Sequence, residues 1–267
     1  MRSLFLAFLA GLAAFAPHTS AADPAKEKDA PRLRLLVPAY FYPAGDGSKD
    51  WDRLFAASAT VPIVAIVNPA SGPGKKADPN YLELFAKAQR TEKITLIGYV
   101  PTSYGKRPLA EVKADVDRWV QLYPRVRGIF FDEQASGADR VAYQAALYEY
   151  VRVKRGLKLV VTNPGAVCDE KYLSEPATDV ACLFESPKPI ESAAFPKWVA
   201  KYSPGHVAVL SYKIATAKAM EAGIREAANK RIGTIYVTDA EGANPWDRLP
   251  RYWAEEVELV RKANQAK

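Results

Sequence analysis

The chain has 267 residues, 49% of them hydrophobic, so it can bury a sizeable core in one large α/β domain or two small ones. Its 37 Lys and Arg outnumber 30 Asp and Glu for a formal charge of +7, but the basic pairs (Lys75-Lys76, Lys154-Arg155, Lys230-Arg231) are scattered. They make no stripe of the kind that grips nucleic acid, and two histidines in all exclude chemistry built on a His-rich zinc site.

Arg2 precedes an apolar run over 4–16 and the small-residue stretch Thr19-Ser20-Ala21-Ala22. A basic start, a short apolar core and an Ala-rich exit predict a cleavable signal peptide over 1–21 and a secreted or periplasmic protein. The competing reading is a retained anchor. The run falls short of the ~20 residues a membrane span needs, so no span is expected after cleavage. Residues 22–32 are polar, charged and Pro-containing and read as a linker. Residues 33–267 then form one domain, because no later stretch has the composition of an interdomain linker. Losing Arg2 with the leader lowers the charge from +7 to +6, which suits attraction to acidic polymers or cell surfaces. A monomer is expected.

Short apolar runs rich in β-branched residues predict strands at 33–37, 63–67, 94–100, 128–131, 158–162, 180–184, 207–211 and 233–238. Most are near-continuous apolar runs, as expected where helices cover a parallel sheet. Amphipathic segments of helical period lie between them, at 80–90, 109–122, 139–153, 215–229 and 251–263. In the second of these, Val112, Val116, Trp119 and Val120 mark the buried stripe. Crossovers after the fifth strand are short, one or two turns. Eight strands alternating with helices in one domain predict a single (β/α)8 TIM barrel. Pro38-Ala39-Tyr40 stands where a dinucleotide fold would need its glycine fingerprint, and no cofactor or metal is expected.

The two cysteines, Cys168 and Cys182, are either a disulfide of an exported protein or a pair of buried thiols, and spacing leaves both open. His18 leaves with the leader. His206 precedes the seventh strand, the wrong barrel end for catalysis, and reads as structural.

In a TIM barrel the chemistry sits where strands end and βα loops begin. Those positions hold Tyr40 and Tyr42, Asn68, Tyr99, Asp132 and Glu133, Asn163, Glu185, Tyr212 and Asp239. The set contains carboxylates, aromatics and amides, with no His and no Cys nucleophile. Sugars call for this chemistry: two carboxylates for the bond, aromatic faces and amides for ring and hydroxyls. Asp132-Glu133 follows Gly-Ile-Phe-Phe without a break, and Glu185 follows Val-Ala-Cys-Leu-Phe. The competing readings are a helix cap with an ion-pair partner for the first two, and a partner for Lys188 for the third. Clustered like charges raise one pKa and create a proton donor. Tyr104, Trp246 and the Tyr40-Phe41-Tyr42 cluster either line a sugar trough or pack. Ser71-Gly72-Pro73-Gly74-Lys75-Lys76 lacks the spacing of a phosphate loop and reads as a flexible βα loop.

Several of these segments carry a family resemblance. Val37-Pro38-Ala39-Tyr40-Phe41-Tyr42-Pro43, Ile66-Val67-Asn68-Pro69 with Ser71-Gly72-Pro73-Gly74, and Gly98-Tyr99-Val100 through Thr102-Ser103-Tyr104-Gly105 resemble the spherulation-specific family 4 (spherulin-4-like) proteins. So do Gly128-Ile129-Phe130-Phe131-Asp132-Glu133, Thr162-Asn163-Pro164-Gly165 and Phe184-Glu185. The likeness runs from about Leu35 to Tyr236 and is similar to glycoside hydrolase family 135. It implies a TIM barrel that cuts α-1,4-linked N-acetylgalactosamine in an amino-sugar polysaccharide. It also implies that the family's essential Asp-Glu pair falls on Asp132 and Glu133 and its later Glu on Glu185. Cys168 departs from the family pattern, where that loop carries proline. In an α-galactosaminide the 2-acetamido group and the leaving group are cis, so the acetamido oxygen cannot attack from the opposite face. An enzymic nucleophile or an activated water is then required. Asp132 is assigned as nucleophile, Glu185 as acid/base and Glu133 as the group that orients them, with exchange of Asp132 and Glu133 left open. The rival functions are a non-catalytic carbohydrate-binding barrel and a metal-dependent deacetylase, the latter opposed by the single mature histidine.

Overall fold

The computed structural model describes residues 33–265. The expected signal peptide and linker, and the last two residues of the expected domain, lie outside the described residues. Eight parallel strands form a closed barrel in chain order: β1 (Arg34–Ala39), β2 (Ile63–Val67), β3 (Ile94–Pro101), β4 (Gly128–Asp132), β5 (Leu159–Thr162), β6 (Val180–Ser186), β7 (Val207–Ser211) and β8 (Thr234–Val237). Pairing of Arg34 with Thr234 and Leu35 with Ile235 makes the closure. The TIM-barrel expectation is met. Every predicted strand is present, and β1, β3, β4 and β6 run past their predicted ends, so Asp132 and Glu185 lie within strands, not just beyond them.

The helices are α1 (Gly47–Ala57), α2 (Pro79–Gln89), α3 (Leu109–Leu122), α4 (Val141–Glu149), α5 (Lys171–Ser174), α6 (Ala217–Asn229) and α7 (Trp253–Gln265). The expected helix 139–153 is broken into a 3-10 turn, α4 and a π-helical stretch at Tyr150–Lys154. Between β6 and β7 only 3-10 turns occur, as the short spacing predicts. Asp78 caps α2 by accepting from Asn80 N at 2.8 Å, with Pro79 in the first turn where its missing N–H costs nothing. Gly98 lets α3 approach closely: a Cβ there would lie 2.4 Å from the Trp119 ring. Trp119 in turn donates to the Tyr99 carbonyl at 2.9 Å, locking the strand that carries Tyr99.

Glu256 on α7 is fully buried and accepts from Val237 N at 2.9 Å. Burial drives its carboxyl well above the usual carboxylate range, against that hydrogen bond, which joins α7 to β8. Cys168 and Cys182 are both buried and unbridged. No described helix is long and apolar enough to cross a membrane.

Candidate active site

The C-terminal ends of β3 to β6 bring four of the expected side chains into one hydrogen-bonded group. Tyr99 donates its hydroxyl to Asp132 Oδ2 at 2.8 Å. The Asn163 side-chain nitrogen donates to Asp132 Oδ1 at 2.9 Å and to Glu185 Oε2 at 2.5 Å. At those two distances from one nitrogen, the two carboxylate oxygens lie at most about 5.4 Å apart. The amide orientation is settled by its other end, since Asn163 Oδ1 accepts from Gly165 N at 2.9 Å. Gly165 sits at φ +66°, where a side chain is strained, and its carbonyl accepts from Glu185 N at 2.9 Å. One turn therefore aims the amide and ties down the backbone of the acid.

Glu185 owes its direction to a bulge. The β6–β7 register shifts between Cys182 and Phe184. Cys182 feels the charges of both Glu185 and Asp132, yet an uninterrupted strand would put positions 182 and 185 on opposite faces. One extra residue lets both face the barrel interior. There, burial pushes the Glu185 carboxyl up to about 7, the Asn163 hydrogen bond opposes that rise, and the Asp132 charge adds to it. The Tyr99 phenol is held far above its ordinary value, by burial first and then by Asp132, so it stays a donor. Tyr40 stands edge-on to Tyr99 with ring centroids 5.8 Å apart. Its phenol is also raised, by burial first and then by Asp132, Tyr99 and Glu185.

Glu133 is placed differently from its neighbour. It adopts φ 54°, a left-handed conformation costly for a non-glycine residue. Its carboxylate accepts from Ser103 N at 3.1 Å, and its carbonyl from Tyr104 N at 2.6 Å and Thr102 Oγ1 at 2.7 Å. Ser103 and Tyr104 are themselves left-handed, at φ 50° and 56°. Glu133 thus clips the β3–α3 loop, whose Tyr104 ring is 56% exposed.

The remaining expected side chains make no hydrogen bond to this group. Asn68 closes its own loop by accepting from Gly72 N at 2.9 Å. Tyr212 is half-buried and edge-on to the buried Trp246, 5.6 Å between centroids. Two more of them have partners within the chain. Tyr42 donates to Asp78 and accepts from Asn80, at 2.9 Å and 2.7 Å, which ties it to the start of α2. Asp239 is taken up by Arg248 at 2.7 Å and Arg251 at 3.3 Å, and its carboxyl is lowered by those partners in spite of burial. Both polar ends are satisfied within the chain. His206 precedes β7, at the far end of the barrel, and bonds to the Asp179 carbonyl at 2.8 Å.

The chain is similar to known proteins over this whole barrel. It is 30% identical to "Spherulin-4" of Physarum polycephalum over 243 residues, 87% of this chain and 71% of the relative. It superposes on the crystal structure of Aspergillus clavatus Sph3 in complex with GalNAc with a TM-score of 0.70 and 26% identity, covering 86% of this chain and 98% of that one. A 4-O-alpha-L-rhamnosyl-beta-D-glucuronidase of Fusarium oxysporum shares the fold alone, at 10% identity and a TM-score of 0.51 over 88% of this chain and 69% of that one. The sequence profile of the spherulation-specific family 4 matches residues 34–260, and the chain belongs to that family.

Proposed function

We propose that this protein is an exported glycoside hydrolase that cleaves α-1,4-linked N-acetylgalactosamine- or galactosamine-containing polysaccharide with retention of anomeric configuration. The observation that carries the reading is the Asp132–Asn163–Glu185 group: two carboxylates on one donor, at most about 5.4 Å apart between the bonded oxygens, with Glu185 raised to about 7. Retaining glycosidases hold their carboxyls ~5–5.5 Å apart, and inverting ones ~6.5–9.5 Å to admit water. Asp132, steadied by two donors, attacks C1 of the sugar. The C1–O bond breaks as Glu185 passes its proton to the leaving oxygen. Glu185 then removes a proton from water, whose oxygen displaces Asp132 from C1 and restores the starting configuration. Tyr99 and Asn163 hold both acids in register, and Glu133 fixes the loop beside them. The choice of an amino sugar rests on family membership and on the likeness to a relative solved with GalNAc. Digestion of a partly acetylated α-1,4-galactosamine polymer, with products measured by mass, tests the reading. A ladder of hexosamine products supports it. Tight polymer binding with no product from any amino-sugar polymer would favour a non-catalytic barrel instead.

A further inference from the structure

A cleft of about 360 Å³ opens at the N-terminal end of the barrel, between α2, the start of β3 and the turns leading into β4 and β5. Phe85, Ile94 and Leu96 give it an apolar floor, and all three are buried. Arg125, Arg127 and Lys158 stand around it, with Glu92 and Gln89 on the α2 side. Arg125 donates to Gln89 at 2.7 Å. Among the described residues, none of these three cations is ion-paired with a carboxylate. Three positive charges thus meet one negative charge around a pocket with an apolar base.

We propose that this basal cleft binds the carboxylate-bearing sugar unit of an acidic polysaccharide and anchors the protein to it. Its volume falls in the range of small-molecule sites, ~300–1,000 Å³, and suits one or two sugar rings. A guanidinium and an ammonium at Arg127 and Lys158 match a carboxylate, Gln89 and Glu92 can take hydroxyls, and the floor can take the apolar face of a ring. A lipid surface fits less well. Among the described residues, none of the exposed large hydrophobics Tyr42, Tyr104, Val153 and Val167 lines this cleft, and its own apolar residues Phe85, Ile94 and Leu96 are buried on its floor, not raised on its rim. The ligand also differs from the substrate proposed above. The barrel mouth gathers Asp132 and Glu133, whose charges repel an anionic chain, whereas the opposite end attracts one. Because the two sites lie at opposite ends, both can be filled at once.

The test is calorimetric titration of the whole chain with a galacturonic acid trisaccharide, at low and at physiological salt. The wild type is expected to bind, more weakly as salt rises. Arg127→Ala with Lys158→Ala should weaken binding about tenfold or more, while Glu185→Gln leaves it unchanged. Hydrolysis at the mouth should be the same in wild type and double variant. Should the double variant lose its fold, Arg125→Glu alone, on the exposed rim, is expected to give the same loss of binding. Absence of binding by the wild type would overturn the proposal. So would equal binding by a folded double variant, by an uncharged trisaccharide, or by inorganic phosphate alone.

Discussion

Asn163 donates to Glu185 across 2.5 Å, and the acid is still pushed up to about 7, because burial outweighs the hydrogen bond. The same nitrogen reaches Asp132, so a single buried amide sets the spacing of the two carboxylates and trims the acidity of one of them. In the proposed mechanism Glu185 must start protonated, and turnover should fall as pH rises through about 7.

Asn163→Leu keeps the volume and removes the donor. Loss of a bond that favours the charged form should move the basic limb of the pH–rate profile upward. Turnover should fall roughly 10- to 100-fold as both carboxylates lose register. A limb that moves down, or an unchanged profile, would contradict the bridging role.

Asp132→Asn and Glu185→Gln keep shape while removing nucleophilicity and proton donation. Each should cost roughly 10³-fold or more in turnover. Polymer binding should survive in both, since the aromatic and amide groups remain. Near-normal turnover in both, measured on an α-1,4-galactosamine polymer, would demote these acids to structural ones.

Stability should also carry the mark of Glu185. Its folded-state pKa is raised, so the folded protein holds this proton more tightly than the unfolded chain does. Stability is then greatest below the ordinary value of 4.5 and is lost as pH rises through about 7. The burial cost of the ionised form is on the order of 3 kcal/mol at most. Glu185→Gln removes it, so thermal midpoints of variant and wild type should agree near pH 4 and diverge in the variant's favour near pH 8. The buried acid Glu256 acts in the same direction in both proteins and cancels from the comparison.

Among the described residues no three His, Cys, Asp or Glu side chains are grouped to hold a metal ion. Exhaustive chelation should leave hydrolysis and the thermal midpoint unchanged. A loss restored by zinc or calcium alone would mean that the acids act through a metal.

The eight strands are legible in the sequence because both faces of a barrel strand are buried, which leaves near-continuous apolar runs such as Ile63–Val67. The helix α1 is not among the segments read from the sequence: it opens on Gly-Ser-Lys-Asp, and only Trp51, Leu54 and Phe55 mark its stripe ahead of Ala57. Asp132 and Glu185 stand out because a carboxylate at the end of an apolar strand has no place in a core. What those acids touch is not legible. Asn163 looks like one more sugar contact until Gly165 fixes its orientation, and the bulge before Glu185 has no signature in Val-Ala-Cys-Leu-Phe-Glu. Tyr42 and Asp239 occupy the expected strand ends, and nothing in the motifs signals that Asn80 and Arg248 bond to their polar groups.

The most direct test of the account is proton NMR of the anomer first released from an α-1,4-linked N-acetylgalactosamine oligosaccharide by the wild-type protein. A carboxylate pair bonded to one amide nitrogen leaves no room for a water between nucleophile and sugar, so the α-anomer should appear first and mutarotate afterwards. A β-anomer appearing first would contradict the direct attack of Asp132 on the sugar.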